Sequence, residues 1–374
     1  MTVTFATRLA DGRELVYYDS KPGQDRSAAD LRTDLPPALT TAQMRWNPLF
    51  RDYAVIAEHR QERTYRPPAD LCPLCPSREG KQTEIPASDY EVAVFENRFP
   101  SLSLASADVI PLVDEAPFRS AAAAGRCEVV CFTSDHDMPF SELAPEQVRT
   151  VVDAWADRTA VLSEVPSIDY VFCFENRGEE IGVTLSHPHG QIYGYPFVPP
   201  RFFKAGEALR RHAERAGTCL QCDLLAAECA DGARIVTASD HWVAYVPFAA
   251  RWPYEVRLVP VRHVPDLPAL DDDERDDLAC TYLTVLQAFE RLFDTPTPYI
   301  AGWQQAPVRQ SRDIWHLGAE IFTIRRAPGK LKQLAGSESG AAVWINDVLP
   351  EVAAARLRGE VPLSGEASAL GRAQ

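Results

Sequence analysis

Five consecutive residues, His187-Pro188-His189-Gly190-Gln191, hold the greatest chemical potential in the chain. In an extended segment alternate side chains share a face, so His187, His189 and Gln191 form a row with about 6.5–7 Å between neighbours. Pro188 cannot donate to a ladder, which predicts a strand start or a sheet edge here. Gly190, and Gly182 upstream, permit close backbone approach. A rigid imidazole, largely neutral at pH 7, needs no base to activate it and suits nucleophilic attack at phosphorus. If His187 is tied to a metal, His189 stands on a fixed support. Gln191 then offers a neutral donor to the charge on a transferring group. The bland alternative is a half-exposed histidine on a sheet edge; the Gly, Thr and Gln residues around this one weigh against it.

Cys72-Pro73-Leu74-Cys75 is a CxxC, either a metal knuckle or a redox pair. His136 and His187 follow it. The second half offers Cys219-Leu220-Gln221-Cys222, then His263, then His316, in the same order and at similar distances. Two Cys and two His close a tetrahedral zinc set with no open position, which reads as structural rather than catalytic. Chance can produce one CxxC in such a chain; two, each opening a half of similar strand content, point to an internal duplication.

The elements that must carry these residues are short. Thirty prolines in 374 residues predict many small elements joined by rigid turns. Strands are expected at 53–57, 90–96, 126–132, 170–174, 191–195, 234–237, 242–246, 255–259 and 314–324. Helices are expected at 145–164, after Pro145, at 203–216 and at 273–293. Residues 1–40 are polar and turn-rich and read as an irregular arm. Hydrophobic residues make up 46% and charged residues 24%, which excludes wholesale disorder and fibrous classes. The net charge of −15 argues against a broad basic groove for nucleic acid, so a phosphate ligand must be held by local donors. No apolar run is long enough to span a membrane, and Met1–Arg8 does not read as a signal peptide. A cytoplasmic protein is expected, in which the nine cysteines are thiols or metal ligands rather than disulfides. Cys127, Cys131, Cys173 and Cys280 read as buried small hydrophobes, Trp252 and Trp303 as packing residues, and Asp271–Asp273 as a solvated helix N-terminus.

The HPHGQ run resembles the active-site signature of the galactose-1-phosphate uridylyltransferases, a branch of the histidine-triad superfamily. The likeness extends in order through Met44-Arg45-Trp46-Asn47-Pro48-Leu49, His59-Arg60, Cys72–Cys75, Phe95–Pro100, Cys131–His136, Phe174-Glu175-Asn176, Trp252–Glu255 and Lys332–Glu338. It implies an α+β fold of two histidine-triad-like halves, each a mainly antiparallel sheet with packed helices. The divisions expected are an N-terminal arm at 1–43, a nucleophile-bearing half at 44–195, a linker helix at 196–218, a second half at 219–360 and a flexible tail at 361–374. The resemblance implies that His189 is the nucleophile, that Gln191 contacts the transferred phosphoryl group, and that Cys72, Cys75, His136 and His187 hold a zinc ion. Asn176 and Thr184 match phosphate-contacting positions, Asn97 a nucleotide-contacting one, and Arg45 and Arg60 basic residues that help to hold phosphates. Lys332 and Glu338 match the sugar 1-phosphate site, often built across a homodimer interface. The substrates implied are UDP-glucose and a hexose 1-phosphate, with no nucleic-acid or membrane partner.

The second half departs from the family pattern. Gln304 and Gly318 stand where relatives have histidines that some members use for an iron-type metal, so no iron site is expected. Under the duplication Gly318 pairs with His189 and Glu320 with Gln191. The second half would then lack a nucleophile yet keep Cys219, Cys222, His263 and His316 for a second zinc. Ser186 replaces a proline usual in relatives. These departures bear on sugar choice more than on chemistry. Two alternatives stay open: a nucleotidyltransferase or phosphorylase using another sugar phosphate, and a non-catalytic zinc-containing nucleotide-binding protein.

Overall fold

The structure, a computed structural model, describes residues 2–33, 35, 41–62, 66–104 and 118–363. The first half supplies β1 (Val3–Arg8), β2 (Glu14–Asp19), β3 (Gln43–Asn47), β4 (Asp52–Ile56), β5 (Val92–Glu96), β6 (Ser120–Ala122) and β7 (Arg126–Cys131). It continues with α1 (Pro145–Ser163), β8 (Tyr170–Arg177) and β9 (His189–Tyr195). After α2 (Pro200–Ala216) come α3 (Leu220–Asp231), β10 (Ile235–Ala238), β11 (Trp242–Tyr245), β12 (Tyr254–Pro260), α4 (Asp272–Glu290), β13 (Tyr299–Gln304), β14 (Gly318–Thr323) and α5 (Pro350–Leu357).

Eleven strands form one sheet in the order β1-β2-β5-β7-β9-β8-β13-β14-β12-β11-β10, and β4-β3-β6 form a small separate sheet. The expected α+β fold is present. The halves share a single sheet, however, because β8 and β13, which would otherwise be open edges, pair antiparallel with Ile300 opposite Asn176. Pro188 immediately precedes β9, so the strand-start reading holds. β9 lies between β7 and β8 and is not an edge.

Alternation assigns the two faces. Val16, Tyr18, Val94, Val130 and Ile192 turn to one side, where α1 covers them in the main core, while α4 packs beside α1 over β10, β11 and β12. Trp303 sits at its centre, with ring centroids 5.9 Å from Trp155, 6.1 Å from Trp242 and 6.3 Å from Tyr282, so both halves meet on one indole. α1 takes Pro145 in its first turn, as its fixed φ allows. α4 opens on a capping box between Asp271 and Glu274, which accounts for the acidic run. On the other face Leu15, Tyr17, Phe95, Val129 and Cys131 pack with Cys72 and Leu74. His189, Gln191 and Tyr193 continue that face, since Cys131 pairs with His189 and Val129 with Gln191.

Several expectations change. Residues 3–19 are a hairpin, not an irregular arm, because the run Leu15-Val16-Tyr17-Tyr18 is buried on both faces at β2. α3 begins directly at the second CxxC, with Cys219 as its N-cap residue. β13 escaped the pattern because Pro298 immediately precedes it and Gly302 interrupts it. Cys127, Cys131 and Cys173 are buried, but Cys280 lies on the outward side of α4 and is exposed; all nine cysteines are free. Residues 364–374 of the expected tail lie outside the described residues. No helix among the described residues is long and apolar enough to cross a membrane.

Candidate active site

The first CxxC and two distant histidines converge. The ligand atoms of Cys72, Cys75, His136 and His187 all lie within 4.8 Å of one another. Cys75 Sγ is 3.3 Å from His136 Nδ1 and 3.6 Å from His187 Nδ1. The Nε2 of His187 stands 2.8 Å from the Thr133 carbonyl and 2.9 Å from the Tyr90 hydroxyl, whose own proton goes to the Leu74 carbonyl. Both partners accept, so Nε2 carries the hydrogen and the Nδ1 lone pair is left for a cation. Burial pushes the His187 imidazole down to about 4, which keeps it neutral and competent as a ligand. Burial pushes the Cys75 thiol up to about 11, so its thiolate form calls for a bound cation. Ser186, the departure from proline, has a use: its Oγ lies 3.0 Å from His136 Nε2. Two thiolates and two neutral imidazoles in one closed group suit a tetrahedral zinc ion.

The second set repeats this arrangement. Cys219, Cys222, His263 and His316 also bring their ligand atoms within 4.8 Å of one another. Cys222 Sγ is 3.3 Å from Nδ1 of both histidines. His316 donates through Nε2 to the Pro260 carbonyl at 2.9 Å, as His187 does to Thr133. Beyond His316 the likeness ends. Gly318 occupies the position of His189, and Glu320 is engaged by Arg201 of α2 at 2.5 Å and by Gln304 at 3.0 Å. Burial opposes ionisation of Glu320, but Arg201 overcomes it and holds the carboxyl below its ordinary range. An ion pair to α2 thus stands in the second half where the first half has Gln191.

His189 opens β9 and is half-buried. Its Nδ1–H donates to the His187 carbonyl at 2.8 Å, which fixes the tautomer and frees the Nε2 lone pair. Burial lowers its basicity, so the ring is neutral near pH 7. The strand must come close here: a Cβ on Gly190 would stand 2.7 Å from the Phe132 ring and 2.9 Å from the Phe174 carbonyl. Gly182, with φ of +87°, turns the loop that precedes the histidines.

Two cavities meet at His189. The larger, about 570 Å³, is lined by Asn176, Thr184, Ser186, Arg177 and Glu175 among others. The smaller, about 170 Å³, is lined by Arg60, Asn97, Thr184, Gln191 and the apolar side chains of Leu74, Phe95 and Val129. Gln191 accepts from the Tyr193 hydroxyl through Oε1 at 3.1 Å, and among the described residues its amide N–H groups have no partner. Asn97 Oδ1 accepts from the Phe99 amide, and Arg60 Nη1 donates to the Phe99 carbonyl. Of the residues singled out in the sequence, the structure therefore brings His187, His189, Gln191, Asn97, Asn176, Thr184 and Arg60 together. Arg45 is exposed on β3 beside Gln43 and lines neither cavity. Lys332 and Glu338 are buried against each other at 2.7 Å, also away from both cavities. Glu175 was missed as a site residue. It is buried in the wall of the larger cavity, accepts from the Tyr299 hydroxyl at 2.8 Å, and is pushed up to about 7 by burial. Its acidic type directly after the apolar run Tyr170–Phe174 was the available signal.

Comparisons with known proteins agree with this geometry. The family model for the N-terminal domain of galactose-1-phosphate uridyl transferase matches residues 34–199, and that for the C-terminal domain matches 205–369. The galactose-1-phosphate uridylyltransferase of Streptomyces lividans is 50% identical over 364 residues, covering 94% of this chain and 96% of its own. That of Thermotoga maritima is 37% identical over 320 residues, covering 84% of this chain and 98% of its own. A solved uridylyltransferase structure superposes with a TM-score of 0.76 at 33% identity, over 85% of this chain and 98% of that one. An ADP-glucose phosphorylase from Arabidopsis thaliana, at 24% identity and a TM-score of 0.66, shares the fold. The chain belongs to the galactose-1-phosphate uridylyltransferase family.

Proposed function

We infer that the protein moves UMP from UDP-glucose to galactose 1-phosphate through a covalent uridylyl-histidine. The observation that carries this reading is the His189 ring, neutral and with Nε2 free, at the junction of two cavities. In the first step Nε2 attacks the α-phosphorus. The N–P bond forms, the P–O bond to glucose 1-phosphate breaks, and the electron pair leaves with that monoester. In the second step a phosphate oxygen of galactose 1-phosphate attacks the same phosphorus and His189 departs with its electron pair. A phosphate leaving group needs little protonation, so positioning and charge stabilisation dominate. His189 is held by its bond to the His187 backbone, and Gln191 points free amide N–H groups from the same strand face. Thr184 lines both cavities and can serve the phosphates from either side. The smaller cavity, with apolar walls and Asn97, suits a base and ribose; the larger, with Asn176, suits the sugar phosphate.

Zinc at Cys72, Cys75, His136 and His187 belongs to this reading, as does a second zinc at Cys219, Cys222, His263 and His316. A bound zinc would join three chain segments in each half into one rigid group. The repeated donor set also supports the duplication, with halves at 44–195 and 219–360. We place the protein in the cytoplasm, which accords with nine free thiols. We further propose a homodimer, since Lys332 and Glu338 line neither cavity of their own chain and need a partner to reach a site; solution mass tests it. Initial velocities test the exchange itself. Double-reciprocal plots for UDP-glucose at several galactose 1-phosphate concentrations are expected to be parallel. Intersecting lines would overturn the covalent route.

A further inference from the structure

Glu84 stands in the wall of the smaller cavity, and arginines from two parts of the chain surround it. Arg13 Nη2 meets its Oε2 at 2.5 Å, and Arg32 Nη1 meets its Oε1 at 2.8 Å. Arg13 is 3% exposed and Glu84 6%. Asp11 and Asp30 hold the two arginines from behind, each at 2.7 Å. Arg13 also donates through Nη1 to the Glu96 carbonyl at 2.8 Å, at the end of β5 and next to Asn97. Arg98, in the same cavity wall, lies 3.7 Å from Glu84, beyond hydrogen-bond reach. Arg13 and Arg32 both precede residue 34, where the matching family domain begins.

We propose that the N-terminal segment is a built part of the nucleotide site, with Arg13 and Arg32 as positioning residues for its wall. This rests on the reading of the smaller cavity as the nucleotide pocket. The physical reason is occupancy of the carboxylate. Glu84 is buried, so it demands full pairing, and two arm guanidiniums supply it. Arg98 is thereby left over for the cavity. With either arm arginine removed, Glu84 keeps one strong partner and an unpaired oxygen. Arg98 is the nearest remaining cation and would turn onto it, drawing the 96–99 wall and Asn97 with it. Loss of Arg13 also frees the Glu96 carbonyl directly.

The test uses the zinc-loaded full chain and the first half-reaction, formation of the uridylyl adduct from UDP-glucose. Arg13→Ala and Arg32→Ala are expected to raise the KM for UDP-glucose about tenfold while the saturating rate stays within about twofold, a loss of positioning before chemistry. In the full exchange, measured alongside, the KM for galactose 1-phosphate is expected to hold. Arg26→Ala is the control: it breaks a buried pair with Asp19 inside the same segment but touches neither Glu84 nor Glu96. It is expected to lower the melting temperature without moving either KM. Arg13→Lys, which can keep one of the two contacts, should recover part of the KM. If Arg13→Ala does not fold, Arg32→Ala decides alone, since the Arg32 side chain is more exposed at 11%. An unchanged KM in the variants, or an equal rise in Arg26→Ala, overturns the proposal while leaving the uridylyl transfer intact. A wild type that forms no adduct overturns both.

Discussion

Gly190→Ala probes how tightly the nucleophile's strand is seated. The added Cβ would stand 2.7 Å from the edge of Phe132 and 2.9 Å from the Phe174 carbonyl, against about 3.4 Å for ordinary contact. One of the two neighbours is backbone of the paired strand β8 and cannot rotate away. The other is a ring with no exposure, wedged edge-on against Phe140 at 4.8 Å and Trp155 at 6.2 Å. The strand must therefore lift by about 0.5–0.7 Å, and His189 is the adjacent residue on it. Overpacking of this kind costs about 1–3 kcal/mol of stability, so the protein stays folded. A displacement approaching 1 Å at a reacting atom costs up to about a hundredfold in rate. The assay is the saturating rate of uridylyl adduct formation, with urea unfolding alongside. A variant with wild-type rate and wild-type stability would refute the claim that close packing beneath β9 aims His189.

Three further outcomes follow from the same geometry. Replacing Cys72 and Cys75 with Ser, or Cys219 and Cys222 with Ser, is expected to lower the zinc content from two per chain to one, read by elemental analysis; unchanged content would refute the site concerned. Glu175 is pushed from 4.5 to about 7 by burial, so the folded state holds its proton where the unfolded state has lost it. Its contribution is fully present below pH 4.5 and is lost as pH rises through 7, on the order of 3 kcal/mol. Glu175→Gln should flatten that decline in unfolding free energy between pH 5 and 8, and an unchanged slope would count against it. Trp303→Ala empties the meeting point of the two halves and is expected to cost about 3–5 kcal/mol by urea unfolding.

The row at His189 was legible because strand alternation is a local rule, and the two metal sets because ligand types are rare and their order repeats. What escaped the sequence depends on distant partners. The N-terminal segment that holds the β1–β2 hairpin looks polar because Arg13, Asp19 and Arg26 are charged. Their burial is affordable only through ion pairs to Glu84 and to each other, which no local window reveals. The single sheet depends on β8 meeting β13, and β13 is masked by Pro298 and Gly302. The Glu84 cluster joins residues 11–32 to the 84–98 wall across a long stretch of chain. Cys280 was misjudged because apolar neighbours on a helix surround a position that faces outward.

Uridylylation of His189 is tested most directly by the intact mass of the zinc-loaded protein after incubation with UDP-glucose alone, with His189→Ala beside it. The account predicts a mass increase of one UMP on the wild type only, matched by release of glucose 1-phosphate and reversed by adding galactose 1-phosphate. A folded, zinc-loaded wild type that gains no mass and releases no sugar phosphate would contradict it.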